Sequence, residues 1–390
     1  MKHPRVKLAL PVLAAVAALV AGPVASSTAL EPSGPTETTE TAEPAETTDP
    51  TETEPTDVEV ATDRIFGTNR YETAIKISQA SHPNPAEDFG GIVFIANGMN
   101  FPDALAAGPA ATAQEGPILL VPPTGGLPAN VRAEIERLEP AAAIILGRTD
   151  NVSQQVEDDL EAIITPEDDA APVIRLDGRN RAHTSAMVAE LVYFYVWENG
   201  SFDYLPPDTA YIANGLTYAD ALAGGAAGGW ETAPLLLTNP GGLDASVRDF
   251  LTPVTDDGET IREFRTIRIL GSVEAVSTTV ENQIRQILPD AEIVRYPGRD
   301  RFDTARLLNA DVFDQPGVEV TMTNGYNFPD ALAGAPRVNL TGGPTVLVRP
   351  ACVPVPTGLT LSVLEPVQIT ALGNTDQVSE AALGGAPCAS

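Results

Sequence analysis

Apolar positions in most of the chain follow two periods, one strand-like and one helical, that alternate along the sequence. Continuous apolar runs typical of buried parallel strands lie at residues 91–96, 117–121, 143–146 and 173–176. Helical spacing fills the intervals, at residues 71–80, 103–114, 128–138 and 153–163, and Ser153 is placed to cap the last helix. Strands and helices that alternate in this way predict parallel β-α-β units, here a doubly wound α/β module of about one hundred residues.

This pattern occurs three times, and each copy starts with the signature Arg-x-x-Gly-x-x-Arg-x-x-Thr. The signatures span residues 64–73, 175–184 and 295–304. The copies are too long for turns of a solenoid and have the length of small domains. We therefore predict three tandem modules, at residues 58–166, 167–289 and 290–390.

A second block, Asn-Gly-x-x-x-x-Asp-Ala-Leu-Ala, follows each signature. Its asparagines and aspartates are Asn97 and Asp103, Asn214 and Asp220, and Asn324 and Asp330. A landmark proline follows each aspartate at the same distance, at Pro117, Pro234 and Pro344. We interpret Asn-Gly as a tight turn with a positive φ and the aspartate as a cap of the helix that follows, with ligand contact as the alternative.

The N-terminal 57 residues differ in composition from the modules. Residues 1–29 have a basic start, an apolar run and small residues before Ala29, which predicts a secretory signal peptide, with a retained membrane anchor as the alternative. The apolar run is short for a bilayer span, and no later stretch is long enough. Residues 30–57 contain Thr, Glu, Pro and Ala with nine acids and no base, which predicts a disordered acidic tether.

The net charge of the chain is −30, to which the leader contributes +3 and the tether −9, so the body is itself acidic. Such a charge disfavours nucleic acid and anionic membranes as partners. Two cysteines, Cys352 and Cys388, occur in the third copy without metal-ligand spacing. In an exported chain this pair predicts a disulfide bond.

The motifs resemble the type 2 cell wall binding repeat of Gram-positive surface proteins. The resemblance rests on residues 64–74, on Asn-Gly-x-x-Phe-Pro-Asp-Ala-Leu-Ala in copies one and three, and on Pro-Ile-Leu-Leu at 117–120. Copy two departs from the pattern at 182–183 and 217–219, and copy three has Pro-Thr-Val-Leu at 344–347. The resemblance implies three flavodoxin-like modules in a pseudo-threefold arrangement, which hold an exported protein noncovalently on an anionic wall glycopolymer.

The signature arginines are the cationic residues that all three copies share. Guanidinium groups bind carboxylates and phosphates through a planar fork of donors, so these side chains either clamp the module internally or contact an anionic polymer. The candidates for polymer contact are Arg70, Arg181 and Arg301, and secondarily Arg64, Arg175 and Arg295. We expect the threonines that end the signatures to lie in the first turns of helices.

Catalysis has little support in this sequence. None of the three histidines recurs between copies, and we find no metal, nucleophile-elbow, phosphate-loop or dinucleotide motif. We therefore expect no cofactor, no metal and no enzyme activity, and predict a secreted, wall-associated binding protein. The alternatives are a regulator that positions a separate wall hydrolase and, less favoured, a glycan hydrolase, which would need two carboxylates in one cleft.

Overall fold

The computed structural model describes residues 60–89, 91–100, 103–164, 172–198, 207–218, 220–256 and 259–389. The predicted signal peptide and tether lie outside the described residues. Within them, the predicted alternation of strands and helices is confirmed in all three repeats.

The first repeat starts with an edge strand and continues through three buried ones. Its strands are β1 (Ala61–Ile65), β2 (Ile92–Asn97), β3 (Ile118–Val121) and β4 (Ala142–Leu146). Its helices are α1 (Arg70–Ser81), α2 (Pro85–Asp88), α3 (Ala107–Ala113), α4 (Ala129–Leu138) and α5 (Gln154–Glu161). Ser153 is the N-cap of α5, and its side chain accepts a hydrogen bond from the Val156 backbone, as predicted.

The second and third repeats follow the same order, with a hairpin inserted in the second. The strands of the second are β5 (Val173–Leu176), β6 (Thr209–Asn214), β7 (Leu235–Thr238), the hairpin β8 (Val254–Asp256) and β9 (Glu259–Arg262), and β10 (Thr266–Leu270). Its helices are α6 (Arg181–Glu198), α7 (Ala221–Trp230), α8 (Ala245–Leu251) and α9 (Thr278–Ile287).

In the third repeat the helix after the Asn-Gly block is broken into short segments. The strands are β11 (Glu292–Tyr296), β12 (Glu319–Asn324), β13 (Gly342–Val348) and β14 (Gln368–Leu372). The helices are α10 (Arg301–Val312), α11 (Phe328–Gly334), a 3₁₀ turn at Ala335–Arg337, α12 (Val338–Thr341), α13 (Val355–Leu364) and α14 (Glu380–Leu383).

Three parallel four-stranded sheets result, and each takes one strand from the next repeat. The strand orders are β3-β2-β4-β5, β7-β6-β10-β11 and β13-β12-β14-β1. Counted from β2, the first sheet has the order 2-1-3-4, which is the flavodoxin order without its last strand. Because β1 pairs with β14, the first strand of the described residues closes a ring with the last repeat. The predicted boundaries at 166 and 289 separate sequence repeats, whereas the sheets extend across them.

The three repeats meet through helices rich in alanine and glycine. A Cβ atom on Gly108 of α3 would lie 2.9 Å from the carbonyl oxygen of Gly225 in α7, and one on Gly225 would lie 3.6 Å from the Cβ of Ala335. The helices therefore approach at backbone distance, which larger side chains would prevent. One hydrophobic core continues through all three repeats as a result, while separate clusters cover the outer faces of the first two sheets.

Candidate functional site at the junctions between repeats

The first arginine of each signature fixes a loop of the preceding repeat. Arg175 lies on β5, and its Nη1 donates to the carbonyl oxygens of Gly147, at 2.9 Å, and Val152, at 2.8 Å. Its Nε donates to the Glu157 carboxylate at 2.9 Å, and the Arg175 side chain is only 9% exposed. The guanidinium therefore closes the turn after β4 from across the repeat boundary.

The other two first arginines repeat this arrangement. Arg295 donates to the carbonyl oxygens of Gly271 and Val276 and pairs with Glu281, while Arg64 donates to the Gly373 carbonyl oxygen and pairs with Glu380. Internal acceptors thus engage the donors of these arginines, which favours the clamp over polymer contact, and we leave the three out of the proposed binding site.

The second arginine of each signature has a different environment. Nη1 of Arg70, Arg181 and Arg301 donates to the carbonyl oxygen of the glycine in the Asn-Gly turn of the same repeat, at 2.6, 2.5 and 2.5 Å. All three side chains are partly exposed. Within the described part of the chain this is the one hydrogen bond that each of these guanidinium groups makes, so their other donors have no hydrogen-bond acceptor there.

The predicted positive φ at the Asn-Gly glycines is wrong. Gly98, Gly215 and Gly325 are not among the residues with positive φ. The turn is instead held by the asparagines: Oδ1 of Asn97, Asn214 and Asn324 accepts the backbone N–H two residues later at 2.7, 2.8 and 2.8 Å. Space beside the glycine is tight, since a Cβ atom on Gly215 would lie 3.0 Å from Arg181 Cδ.

The predicted helix-capping role of the aspartates is also wrong. Asp220 is the N-cap of α7 but makes no capping hydrogen bond, α3 begins four residues after Asp103, and Asp330 lies inside α11. Asn151 of the same repeat donates to Asp103 Oδ2 at 2.9 Å. Each carboxylate also lies near the next repeat, since Thr184 and Arg181 lower the pKa of Asp103, Thr304 and Arg301 lower that of Asp220, and Asp330 lies in the field of Arg70.

The surroundings of the three aspartates at these junctions shift their pKa values. Burial raises the pKa of Asp103 and of Asp220, and the threonine hydrogen bond and the neighbouring arginine oppose that rise. At the junction that closes the ring, burial raises the pKa of Asp330 to about 6, with only the field of Arg70 in opposition. Among the described residues, no threonine is counted among the groups that oppose the desolvation of this carboxylate.

The remaining motif residues support the backbone. Thr73, Thr184 and Thr304 are buried at the starts of α1, α6 and α10, as expected. The carbonyl oxygens of Pro117 and Pro234 accept the backbone N–H of Phe94 and Tyr211 beside edge strands, and Pro344 is buried in β13. Cys352 and Cys388 form the predicted disulfide, with a sulfur–sulfur distance of 2.00 Å.

The sequence interpretation missed a set of apolar side chains beside the second arginines. The residue after each Asn-Gly is a large apolar one that remains about half exposed: Met99 at 58%, Leu216 at 53% and Tyr326 at 48%. Their shared position in the second block was visible in the sequence. Their exposure was not, because an apolar residue beside a buried strand is ordinarily expected to be buried.

Other features lie away from this edge of the ring. A cavity of about 260 Å³ between the first and third repeats is lined by residues that include Ser81 and Pro117, at the amino ends of the strands. Among the described residues there is no group of three or more His, Cys, Asp or Glu side chains that could hold a metal, and no helix is long and apolar enough to cross a bilayer.

The described residues thus form a closed ring of three parallel α/β modules with arginines at its junctions. The chain belongs to the family described as Cell wall binding domain 2, whose repeats match residues 64–157, 175–281 and 295–383. It is thus a cell wall binding protein with three repeats, and the predicted family is confirmed.

Curated relatives share this region at low identity. The chain is 28% identical to an amidase enhancer of Bacillus subtilis, over 76% of this chain and 36% of the relative. It is 26% identical to the N-acetylmuramoyl-L-alanine amidase LytC of the same species, over 70% of this chain and 47% of the relative. The chain thus spans less than half the length of these relatives.

Solved structures show the same fold. Cwp6 from Clostridium difficile superposes with a TM-score of 0.71 at 22% identity and covers 83% of this chain, which matches 47% of Cwp6. Cwp8 from the same organism gives 0.66 at 21% identity, over 81% of this chain and 50% of Cwp8. The predicted flavodoxin-like architecture is confirmed.

Proposed function

We propose that this chain is an exported, non-catalytic protein that attaches noncovalently and multivalently to an anionic glycopolymer of a Gram-positive cell wall. The observation that carries the proposal is the state of the second arginines. Arg70, Arg181 and Arg301 lie at equivalent junctions, each is held by one hydrogen bond to its Asn-Gly turn, and each remains partly exposed.

The overall charge of the chain makes local donors necessary. The net charge of −30 repels a polyanion at long range, so attraction has to arise at short range from oriented guanidinium groups. Three weak contacts on one rigid ring reinforce one another through effective concentration, so no single junction needs high affinity. A wall polymer, whose anionic groups recur along its length, fits a ring of equivalent sites.

Replacement of all three second arginines tests this proposal. The triple variant Arg70→Gln, Arg181→Gln and Arg301→Gln is expected to lose more than about tenfold in cosedimentation with purified walls, since each charge-assisted contact contributes about 1 kcal/mol or more. The control variant Lys76→Gln, Arg265→Gln and Arg285→Gln removes the same charge from other exposed positions and is expected to bind like the parent.

Circular dichroism and the melting temperature establish that both triple variants are folded. Parent-like wall binding by a folded triple variant would refute the proposal. Loss of binding in the control variant to the same extent would show that net charge, rather than the junction arginines, governs attachment.

A second candidate function is regulation of a separate wall hydrolase. The similarity to an amidase enhancer and to an amidase favours it. If the chain positions a hydrolase, its addition to an amidase and walls raises the rate of amide cleavage. A rate that stays constant across a titration of the chain would contradict this regulatory role, and wall attachment would remain as the function.

Hydrolysis of the glycan by this chain is disfavoured by the placement of its recurring carboxylates. Asp103, Asp220 and Asp330 each face a different junction. A glycosidase needs two carboxyl groups on either side of one bond, which one recurring acid per junction does not supply.

A further inference from the structure

The third repeat differs from the other two in the exposed side chain beside its second arginine. The apolar positions Met99 and Leu216 carry flexible or branched aliphatic groups, whereas Tyr326 presents a flat ring. The Tyr326 backbone N–H donates to Asn324 Oδ1, and its carbonyl oxygen accepts a hydrogen bond from the Tyr218 hydroxyl at 2.7 Å. The backbone that carries this ring is therefore held by its own repeat and by the second repeat.

Aromatic rings also fix Arg301 at this junction. Its Cζ lies 5.3 Å from the centroid of the Tyr218 ring and 5.1 Å from that of the Tyr326 ring. The Phe302 ring meets Tyr326 edge-on, at a centroid distance of 5.6 Å and an angle of 85°. These contacts order the guanidinium and the ring of Tyr326 before any ligand arrives, which lowers the entropic cost of binding.

A further cationic side chain, that of Arg349, lies beside these aromatic residues in the third repeat, and the other two repeats have no cationic residue at the corresponding position. Arg349 is exposed, and its Cζ lies 6.0 Å from the Phe302 ring centroid. The corresponding positions, directly after β3 and β7, are Pro122 and Asn239. No hydrogen bond or ion pair within the described part of the chain occupies its guanidinium.

The disulfide supports the turn that carries Arg349. The backbone N–H of Arg349 donates to the Cys352 carbonyl oxygen at 3.1 Å, and the Cys352 N–H donates back at 3.3 Å. Cys352 is bonded to Cys388, which ties this turn to the C-terminal segment. The cation is thereby placed on a covalently anchored turn.

We propose that the junction of the second and third repeats is a composite subsite for an acidic sugar, and that it is the strongest of the three sites. The pyranose ring stacks its apolar C–H face on Tyr326, while Arg301 and Arg349 bind the carboxylate or phosphate of the same residue. This inference rests on the proposed function and deepens it. Tyrosine suits the role because its ring is rigid and amphipathic, and the paired guanidinium groups supply local positive potential on an acidic body.

The test uses the full chain with the other two junctions disabled. In the background Arg70→Gln and Arg181→Gln, only the third junction retains its arginine, so multivalency no longer masks a single-site effect. Binding is measured by cosedimentation with purified Gram-positive walls that carry their acidic secondary polymer, over a range of salt concentrations. Walls stripped of that polymer give the baseline.

Two further substitutions then probe the subsite. Arg349→Gln is expected to weaken binding about fivefold and to flatten its salt dependence, because an exposed charge contact is screened. Tyr326→Leu installs the residue of the second repeat and is expected to weaken binding about fivefold without change in salt dependence. Arg265→Gln, an exposed arginine at the opposite edge of a sheet, serves as the control and is expected to have no effect.

A gain of binding provides an independent check. In the background Arg70→Gln and Arg301→Gln, Leu216→Tyr is expected to strengthen binding severalfold, since it gives the second junction a ring of its own. Parent-like binding of both subsite variants, or no gain from Leu216→Tyr, would overturn the composite subsite. The proposed function fails separately, when the triple arginine variant retains full binding.

Chemical treatment of the walls identifies the anion. Amidation of wall carboxylates abolishes binding at the third junction if the sugar is a uronic acid, and hydrofluoric acid, which cleaves phosphodiesters, abolishes it if the group is a phosphate. Either loss supports the acidic-sugar subsite. Binding that survives both treatments overturns it.

Discussion

The two arginines of one signature, six residues apart, have opposite surroundings. Arg175 lies on strand β5 and donates to two carbonyl oxygens in a loop of the previous repeat and to the carboxylate of Glu157 in the helix that follows it. Arg181 begins helix α6, donates one hydrogen bond within its own repeat, and remains partly exposed. The same residue type thus assembles the ring at one position and is available to a ligand at the other.

The largest expected difference between these two arginines is in stability. Arg175→Gln leaves Glu157 and the carbonyl oxygens of the turn without their donor, which is expected to cost about 3 kcal/mol of unfolding free energy. Arg181→Gln removes one hydrogen bond at a partly exposed site and is expected to cost about 1 kcal/mol. Denaturant unfolding of the two variants measures both values. Equal costs would contradict the division of roles.

The aspartates at the junctions extend the comparison of the two arginines, because Asp330 is a buried acid near Arg70, the second arginine of the first signature. Burial raises the folded-state pKa of Asp330 to about 6, above the ordinary value for aspartate. The folded protein therefore binds this proton more tightly than the unfolded chain does. Ionisation of Asp330 costs folding free energy in full above about pH 6, and this cost declines as the pH falls from about 6 to about 4, the ordinary pKa of an aspartate.

We accordingly expect Asp330→Asn to stabilise the protein at pH 7 by about 2 kcal/mol, and to have little effect near pH 4. Urea unfolding of the parent and the variant at both pH values measures the difference in their unfolding free energies. Because both proteins contain the other carboxyl groups, the contribution of those groups cancels in this difference. Asp303→Asn is a control for which a stability change of the opposite sign is expected, since hydrogen bonds from Arg299 and Arg306 lower the pKa of Asp303. A stability gain for Asp330→Asn that is the same at both pH values would show that ionisation is not its cause.

The sequence predicts elements well and their partners poorly. The apolar runs of β2, β3 and β4 and the cap at Ser153 follow from local periodicity and local hydrogen bonding, and the structure confirms them. The pairing of β1 with β14 joins residues about 300 positions apart, and no local pattern encodes it. The repeat signature located the modules but left open which strand completes each sheet.

The error over Asp103 has the same origin. A carboxylate shortly before an alanine-rich helix has the local appearance of a cap. Its neighbours are distant in sequence: Asn151 donates to it from the loop after β4, and Thr184 and Arg181 belong to the next repeat. Roles that depend on contacts across junctions are therefore those that the sequence alone did not reveal.

The smallest expected effect concerns Gly215, whose carbonyl oxygen accepts the hydrogen bond from Arg181. A Cβ atom on Gly215 would lie 3.0 Å from Arg181 Cδ and 3.2 Å from Leu237 Cβ, so Gly215→Ala is expected to shift the arginine stem by a few tenths of an ångström. The cost in stability is expected to stay below about 1 kcal/mol, since the turn is held by Asn214.

Wall binding shows whether that small displacement matters. In the background Arg70→Gln and Arg301→Gln, where Arg181 alone remains, Gly215→Ala is expected to weaken cosedimentation about threefold, because binding of an anion by a guanidinium depends on its orientation. Gly241→Ala is the matched control, since its Cβ atom has no neighbour within 4 Å. If both alanine variants bind alike, the carbonyl of Gly215 does not orient Arg181 for the polymer, and the second arginine acts through its charge alone.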